Sequence, residues 1–113
     1  VKRNNVQAIL LDDNLMSTMR IEPQLRAMGY TVRTLRKLPA EGDEAPELVI
    51  INLGSRSLNG VPFIESLREF YPETRIVGFC GHLEVEIRQA AKAAGIDKLL
   101  TNDQAYTQLE KSL

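Results

Sequence analysis

A parallel α/β sheet covered by helices is the fold class this sequence predicts, and three observations carry it. Short runs rich in Val, Ile and Leu recur five times along the chain. Three of them are nearly continuous rather than alternating, the pattern of strands buried on both faces of a sheet. Segments with helical spacing lie between them. Alternating strand and helix with short connections means right-handed crossovers and parallel strands.

The first strand is read at Val6–Leu11. After it, Leu15–Met28 places Leu15, Thr18, Met19, Glu22, Leu25 and Met28 at three- and four-residue spacing, which predicts a helix with Gly29 as its stop. Pro23 removes the bond to the Met19 carbonyl, so a kink or a split helix is expected there. Tyr30–Leu35 reads as the second strand. The crossover from Leu35 to Leu48 contains Pro39, Gly42 and Pro46, which leave room for a loop or a single turn in place of a second full helix. Leu48–Leu53 is the third strand. Pro62 then suits the first position of a helix that puts Phe63, Leu67 and Phe70 on one face and ends before Pro72. Arg75–Phe79 is the fourth strand. Leu83–Ala94 reads as a helix with Ile87, Ala90, Ala91 and Ala94 inward, a Glu84–Arg88 pair outward and Gly95 as its stop. Asp97–Thr101 is the fifth strand, and Asp103–Leu113 a last helix with Tyr106, Leu109 and Leu113 on one side.

A chain of 113 residues is one domain, 1–113, large enough for a real core. With 43% apolar and 26% charged residues and a formal net charge of −1, it offers no general electrostatic basis for binding nucleic acid or membrane. One cysteine excludes an internal disulfide. No apolar run approaches membrane-spanning length, and Val1–Asn5 is too short and polar to precede a signal sequence. A cytoplasmic protein is the expectation.

In an open parallel sheet, ligands bind beyond the carboxyl ends of the strands. Asp12 and Asp13 follow the first strand, Asn52 ends the third, Cys80-Gly81 the fourth and Asn102 the fifth, so these residues are expected to face one crevice. Several pieces fall in a telling order. They are Ile9-Leu10-Leu11-Asp12-Asp13-Asn14, Met28-Gly29-Tyr30-Thr31-Val32, Pro46-Glu47-Leu48-Val49-Ile50-Ile51-Asn52-Leu53 and Asn59-Gly60. Ile76-Val77-Gly78-Phe79-Cys80-Gly81-His82 and Ala94-Gly95-Ile96-Asp97-Lys98-Leu99-Leu100 complete the set.

With these pieces the chain resembles, over almost its whole length, the receiver domain of two-component response regulators. The resemblance implies a flavodoxin-like fold with strand order 2-1-3-4-5. It also implies that the acidic pair is Asp12 and Asp13 and that the phosphoacceptor position holds Asn52. The hydroxyl switch position holds Cys80, the aromatic switch position Leu99 and the lysine position Asn102, and Arg56 replaces a proline usual four residues after the acceptor. A carboxamide is a very poor nucleophile toward phosphorus. The chain therefore looks like a pseudo-receiver that is not an enzyme, acting in two-component or transcriptional signalling by protein–protein contact. The resemblance implies a histidine kinase, an output domain or a second copy as partner. Arg88, Lys92, Lys98 and Tyr106 lie in the region through which receivers often meet partners.

The losses are electrostatically consistent. Asn52 deletes a negative charge and Asn102 the positive charge that would pair with it, so neither is stranded. Both amides are expected to face the crevice and to hydrogen-bond each other or the acidic pair.

Each residue also has a plainer role. Asp12 and Asp13 are expected to hold Mg²⁺ weakly or not at all, since one carboxylate fewer weakens a hard-cation site, and one of them is suited to cap the first helix. Asn102-Asp103 reads as an N-cap pair. Cys80 beside His82 suits a small buried strand-end residue and a loop residue better than a thiol and its base. Arg56 reads as an exposed loop arginine. A second reading of the whole is a receiver-derived ligand-binding domain or small enzyme using Asp12, Asp13 and Cys80.

Overall fold

The computed structural model describes residues 6–40 and 44–113; Val1–Asn5 and Glu41-Gly42-Asp43 of the expected loop lie outside the described residues. Five strands, β1 (Gln7–Leu11), β2 (Thr31–Leu35), β3 (Leu48–Asn52), β4 (Arg75–Cys80) and β5 (Lys98–Thr101), form one sheet in the order β2-β1-β3-β4-β5. Every pairing is parallel, with Leu10 beside Thr34 and Ile50, and Asn52 beside Phe79. The helices are α1 (Leu15–Ala27), α2 (Val61–Phe70), α3 (Val85–Ala93), α4 (Asn102–Thr107) and α5 (Leu109–Ser112).

Because successive strand residues point to opposite faces, the sheet has two cores. Ile9, Leu11, Val49, Ile51 and Ile76 meet Ile64 and Leu67 of α2 and Ala91 of α3. On the other face Ala8, Leu10, Ile50, Val77 and Phe79 meet Ile21 and Leu25 of α1, with Ala105 and Leu109. All of β3 is buried, which explains its unbroken Leu-Val-Ile-Ile run. Gly78 in β4 is a requirement of packing, since a Cβ there would lie 2.4 Å from Leu53 Cδ1.

Gly29 and Gly95 end α1 and α3 at φ +98 and +94°, the left-handed geometry that glycine adopts without strain. The described part of the β2–β3 crossover, 36–40 and 44–47, contains no helix. It is secured by the Thr74 hydroxyl, which donates to the Pro46 carbonyl at 2.6 Å.

Three helices differ from the sequence reading. Helix α1 runs unbroken through Pro23, and its buried stripe is Ser17, Ile21 and Leu25 rather than the row beginning at Leu15. The Asn14 side chain caps it by accepting from Met16 N at 2.9 Å, and Ser17 hydrogen-bonds Asp12. Those contacts set the rotation of the helix and turn Leu15, Met16 and Met19 outward. In α3, Ala91 is buried, while Ala90 faces out.

The last helix is broken at Gln108, and the cause is a side chain from α1. Leu109 N donates to Gln24 Oε1 at 3.0 Å instead of to the Ala105 carbonyl. Gln24 Nε2 donates to the Ala105 carbonyl at 2.8 Å and lies 3.0 Å from that of Tyr106. A carboxamide is thus inserted into one rung of the helical ladder, satisfying both sides of the break.

Candidate functional site

A polar crevice of about 670 Å³ opens at the carboxyl ends of the strands. Asp13 and Asn14 enter it from β1, Asn52, Gly54, Ser55 and Ser57 from β3, Gly81 and Glu84 from β4, and Asn102 and Tyr106 from the end of β5 and α4.

Asp12 forms the buried floor, only 2% exposed. Its Oδ1 accepts from Asn14 N at 3.0 Å and from Asn52 Nδ2 at 2.8 Å. Its Oδ2 accepts from the Thr18 hydroxyl at 3.0 Å and from the Ser17 hydroxyl. The carboxylate is therefore saturated by protein donors, each oxygen taking two. Asn52 is held equally firmly, its Oδ1 accepting from Gly54 N at 3.1 Å. An amide with one donor and one acceptor engaged has a defined orientation, which a carboxylate in its place would not match.

Asp13 is bound by the Ser55 and Ser57 hydroxyls at 2.6 and 2.5 Å. These bonds hold its carboxyl below the usual carboxylate range; slight burial opposes them, and the Arg36 guanidinium adds a little. Asn102 lines the crevice, but among the described residues its amide makes no hydrogen bond to Asn52, Asp12 or Asp13. It is also not the helix cap. Thr101 caps α4, accepting from Gln104 N at 3.2 Å while Gln104 Oε1 accepts from Thr101 N at 2.9 Å.

Magnesium, which the resemblance implies for such a crevice, fits these residues poorly. Asp12 has no free lone pair, Asp13 is engaged by two hydroxyls, and Asn52 brings no charge. Among the described residues no three His, Cys, Asp or Glu side chains are grouped to hold a metal ion.

Cys80 does not line the crevice. Strand alternation sends its side chain into the core beneath α2 and α3, fully buried. Burial pushes the thiol above its usual value, and Arg88, with Nη1 3.8 Å from Sγ, offsets this only in part. Native protein is accordingly expected to react with a maleimide or disulfide reagent only slowly at neutral pH, and rapidly once unfolded. Fast labelling of the folded protein contradicts this placement. His82 is exposed in the loop.

The expected interaction face is not one patch. Lys92 and Lys98 are exposed, but Arg88 turns inward toward the Leu100 carbonyl at 3.4 Å instead of pairing outward with Glu84. Tyr106 lies across the sheet, edge-on to Phe79 with centroids 5.8 Å apart and with Arg20 over its ring. Its hydroxyl is held above the usual phenol range by burial, with the Asp12 charge adding and Arg20 opposing. Arg56 is exposed and lines a groove with Leu83, Glu84 and Val85.

Sequence reasoning missed Ser17, Ser55, Ser57 and Glu84. A signal for the first existed in the hydroxyl pair Ser17-Thr18, one helical turn beyond Asp12. None existed for Glu84, whose helical spacing to Arg88 suggested a surface pair.

No family model matches the chain, and no curated protein matches it by sequence. Solved structures do. A response regulator from Burkholderia pseudomallei, determined with a phosphorylated aspartic acid, calcium ion and citrate, superposes with a TM-score of 0.81 at 21% identity. That match covers 96% of this chain and 66% of the Burkholderia one, so the chain spans just under two thirds of that protein. Vibrio cholerae chemotaxis protein CheY4 gives a TM-score of 0.75 at 19% identity, covering 96% of this chain and 99% of that one. The receiver domain of NtrX from Brucella abortus gives 0.74 at 22%, covering 95% and 98%. The chain has the flavodoxin-like fold of response-regulator receiver domains.

Proposed function

We propose that this domain is a pseudo-receiver: a signalling module that works through protein–protein contact without being phosphorylated. The observation that carries the reading is the Asn52 amide, seated at the end of β3 with Nδ2 2.8 Å from Asp12 Oδ1. The resemblance puts the phosphoacceptor there, and Asn52 has no carboxylate oxygen to attack phosphorus. Around it the acidic floor is closed by internal donors, and the amide at 102 supplies no charge to grip a phosphoryl group.

Two-component or transcriptional signalling is the setting that the receiver fold supports, with a kinase, an output domain or a second copy as partner and the cytoplasm as location. The enzyme reading is the weaker one, because Asp12 and Cys80 are both buried and do not converge on a common cavity. Beryllofluoride with Mg²⁺, which mimics an aspartyl phosphate, is expected to leave the amide NMR spectrum unchanged. A saturable shift at Asp13, Asn52 and Gly81 contradicts the proposal.

A further inference from the structure

The large apolar side chains most exposed among the described residues lie on the two elements that flank the crevice, the start of α1 and the approach to α3. Leu15, Met16 and Met19 are 72, 69 and 64% exposed on the first turns of α1, and Leu83 and Val85 are 80 and 56% exposed on the approach to α3. Leu15 lines the crevice itself. Glu84 lines it from the other side and also lines an adjoining groove of about 420 Å³ with Arg56, Leu83, Val85, Glu86 and Ile87. Single exposed hydrophobes are ordinary, but groups of them on both elements that flank one polar cleft mark an interaction surface.

The charge of the cleft decides what fits between the rims. Among the described residues its charged lining residues are Asp13 and Glu84, with Asp12 buried beneath, and no Lys, Arg or His lines it. Arg36 acts on Asp13 from outside and is the smallest of the influences there. The Asn102 amide has no hydrogen-bond partner among the described residues. The charged side chains that an anion meets inside this cleft are both carboxylates, with Arg36, Arg20 and Arg56 outside its lining. A lysine or arginine meets two carboxylates, the serine hydroxyls and an amide oxygen, while its methylene stem lies along Leu15.

We propose that this surface docks a segment of a partner protein, with a lysine or arginine inserted between Asp13 and Glu84 and flanking apolar side chains resting on Leu15, Met16 and Met19 and on Leu83 and Val85. The inference rests on the protein-contact reading above and moves the contact from the Lys92–Lys98 side to the crevice.

Selection of a random peptide library displayed on phage tests it, using wild-type protein in the presence of excess Asp13→Asn/Glu84→Gln double variant as competitor. Both substitutions keep shape and remove charge; at residue 13 one serine hydroxyl must turn from donating to accepting, and a native-like amide spectrum of the variant establishes that it folds. The expected winners carry a Lys or Arg between apolar residues and shift the amides of Leu15, Met16, Met19, Leu83 and Val85. Their affinity is expected to fall about tenfold or more in the double variant, a loss typical of removing close charge pairs at an interface, and to weaken with salt.

Winners without a basic residue, shifts confined to the Lys92–Lys98 side, or self-association of the wild type through these same residues overturn the proposal. The two readings fail separately. Beryllofluoride shifts refute phosphorylation independence whatever the peptides do, and a failed selection leaves that result untouched.

Discussion

Asn52→Asp is expected to destabilise the domain by about 2–4 kcal/mol at neutral pH, the scale of an uncompensated buried charge, without creating a phosphoacceptor. The Nδ2 donor that now lies 2.8 Å from Asp12 Oδ1 becomes a carboxylate oxygen, so attraction turns to repulsion at a site only 6% exposed. Among the described residues no cation lines the crevice to relieve it. The sign follows from linkage: repulsion and burial raise the introduced carboxyl's pKa in the folded state above its unfolded value. Folding therefore costs most at pH values above both, and the deficit relative to wild type shrinks as pH falls toward the unfolded value. Urea unfolding of both proteins at pH 7 and near pH 4 checks this, and an equal deficit at both pH values counts against it. The variant is also expected to remain unphosphorylated, because Asp12 stays locked by Ser17, Thr18 and Asn14 and residue 102 is still an amide.

The second large effect concerns the break between α4 and α5. Gln24→Leu keeps the bulk of the side chain but removes the carboxamide that joins Leu109 N to the Ala105 carbonyl. Leaving part-buried donors and acceptors without partners costs about 1–3 kcal/mol for each group, and partial access to water places the expected total near 2 kcal/mol. Hydrogen exchange localises the effect: the Leu109 amide, protected in the wild type, is expected to exchange rapidly in the variant. Unchanged protection would mean that the ladder closes directly to Ala105 and that the break does not depend on Gln24.

These contacts show what the sequence reveals and what it withholds. The five strands, the helix-poor crossover and the stops at Gly29 and Gly95 are written in local patterns: continuous apolar runs, prolines and glycines at set places. The order of the strands in the sheet is not, and comes only through the resemblance to receiver domains. Nor is the rotation of α1. Leu15 and Met19 have the spacing of a buried row, and the Asn14 cap with the bond from Ser17 to Asp12 turns them to solvent. The break at Gln108 is invisible for another reason: its cause lies 84 positions earlier, at Gln24.

Within the crevice, Asp12, Asp13, Asn52 and Asn102 could be placed by strand ends alone. Cys80 could not, because its position at a strand end does not say which face its side chain takes. Glu84 looked like half of a surface ion pair, and it instead lines the opposite wall of the cleft from Asp13.

The central claim is that this scaffold has left phosphoryl chemistry behind. Intact-mass spectrometry of the wild-type protein after incubation with acetyl phosphate and Mg²⁺ at neutral pH tests it most directly. The expected spectrum is that of the unmodified chain at every time point. A phosphoryl adduct that is labile to hydroxylamine, as an acyl phosphate is, and that maps to Asp12 or Asp13 contradicts the account.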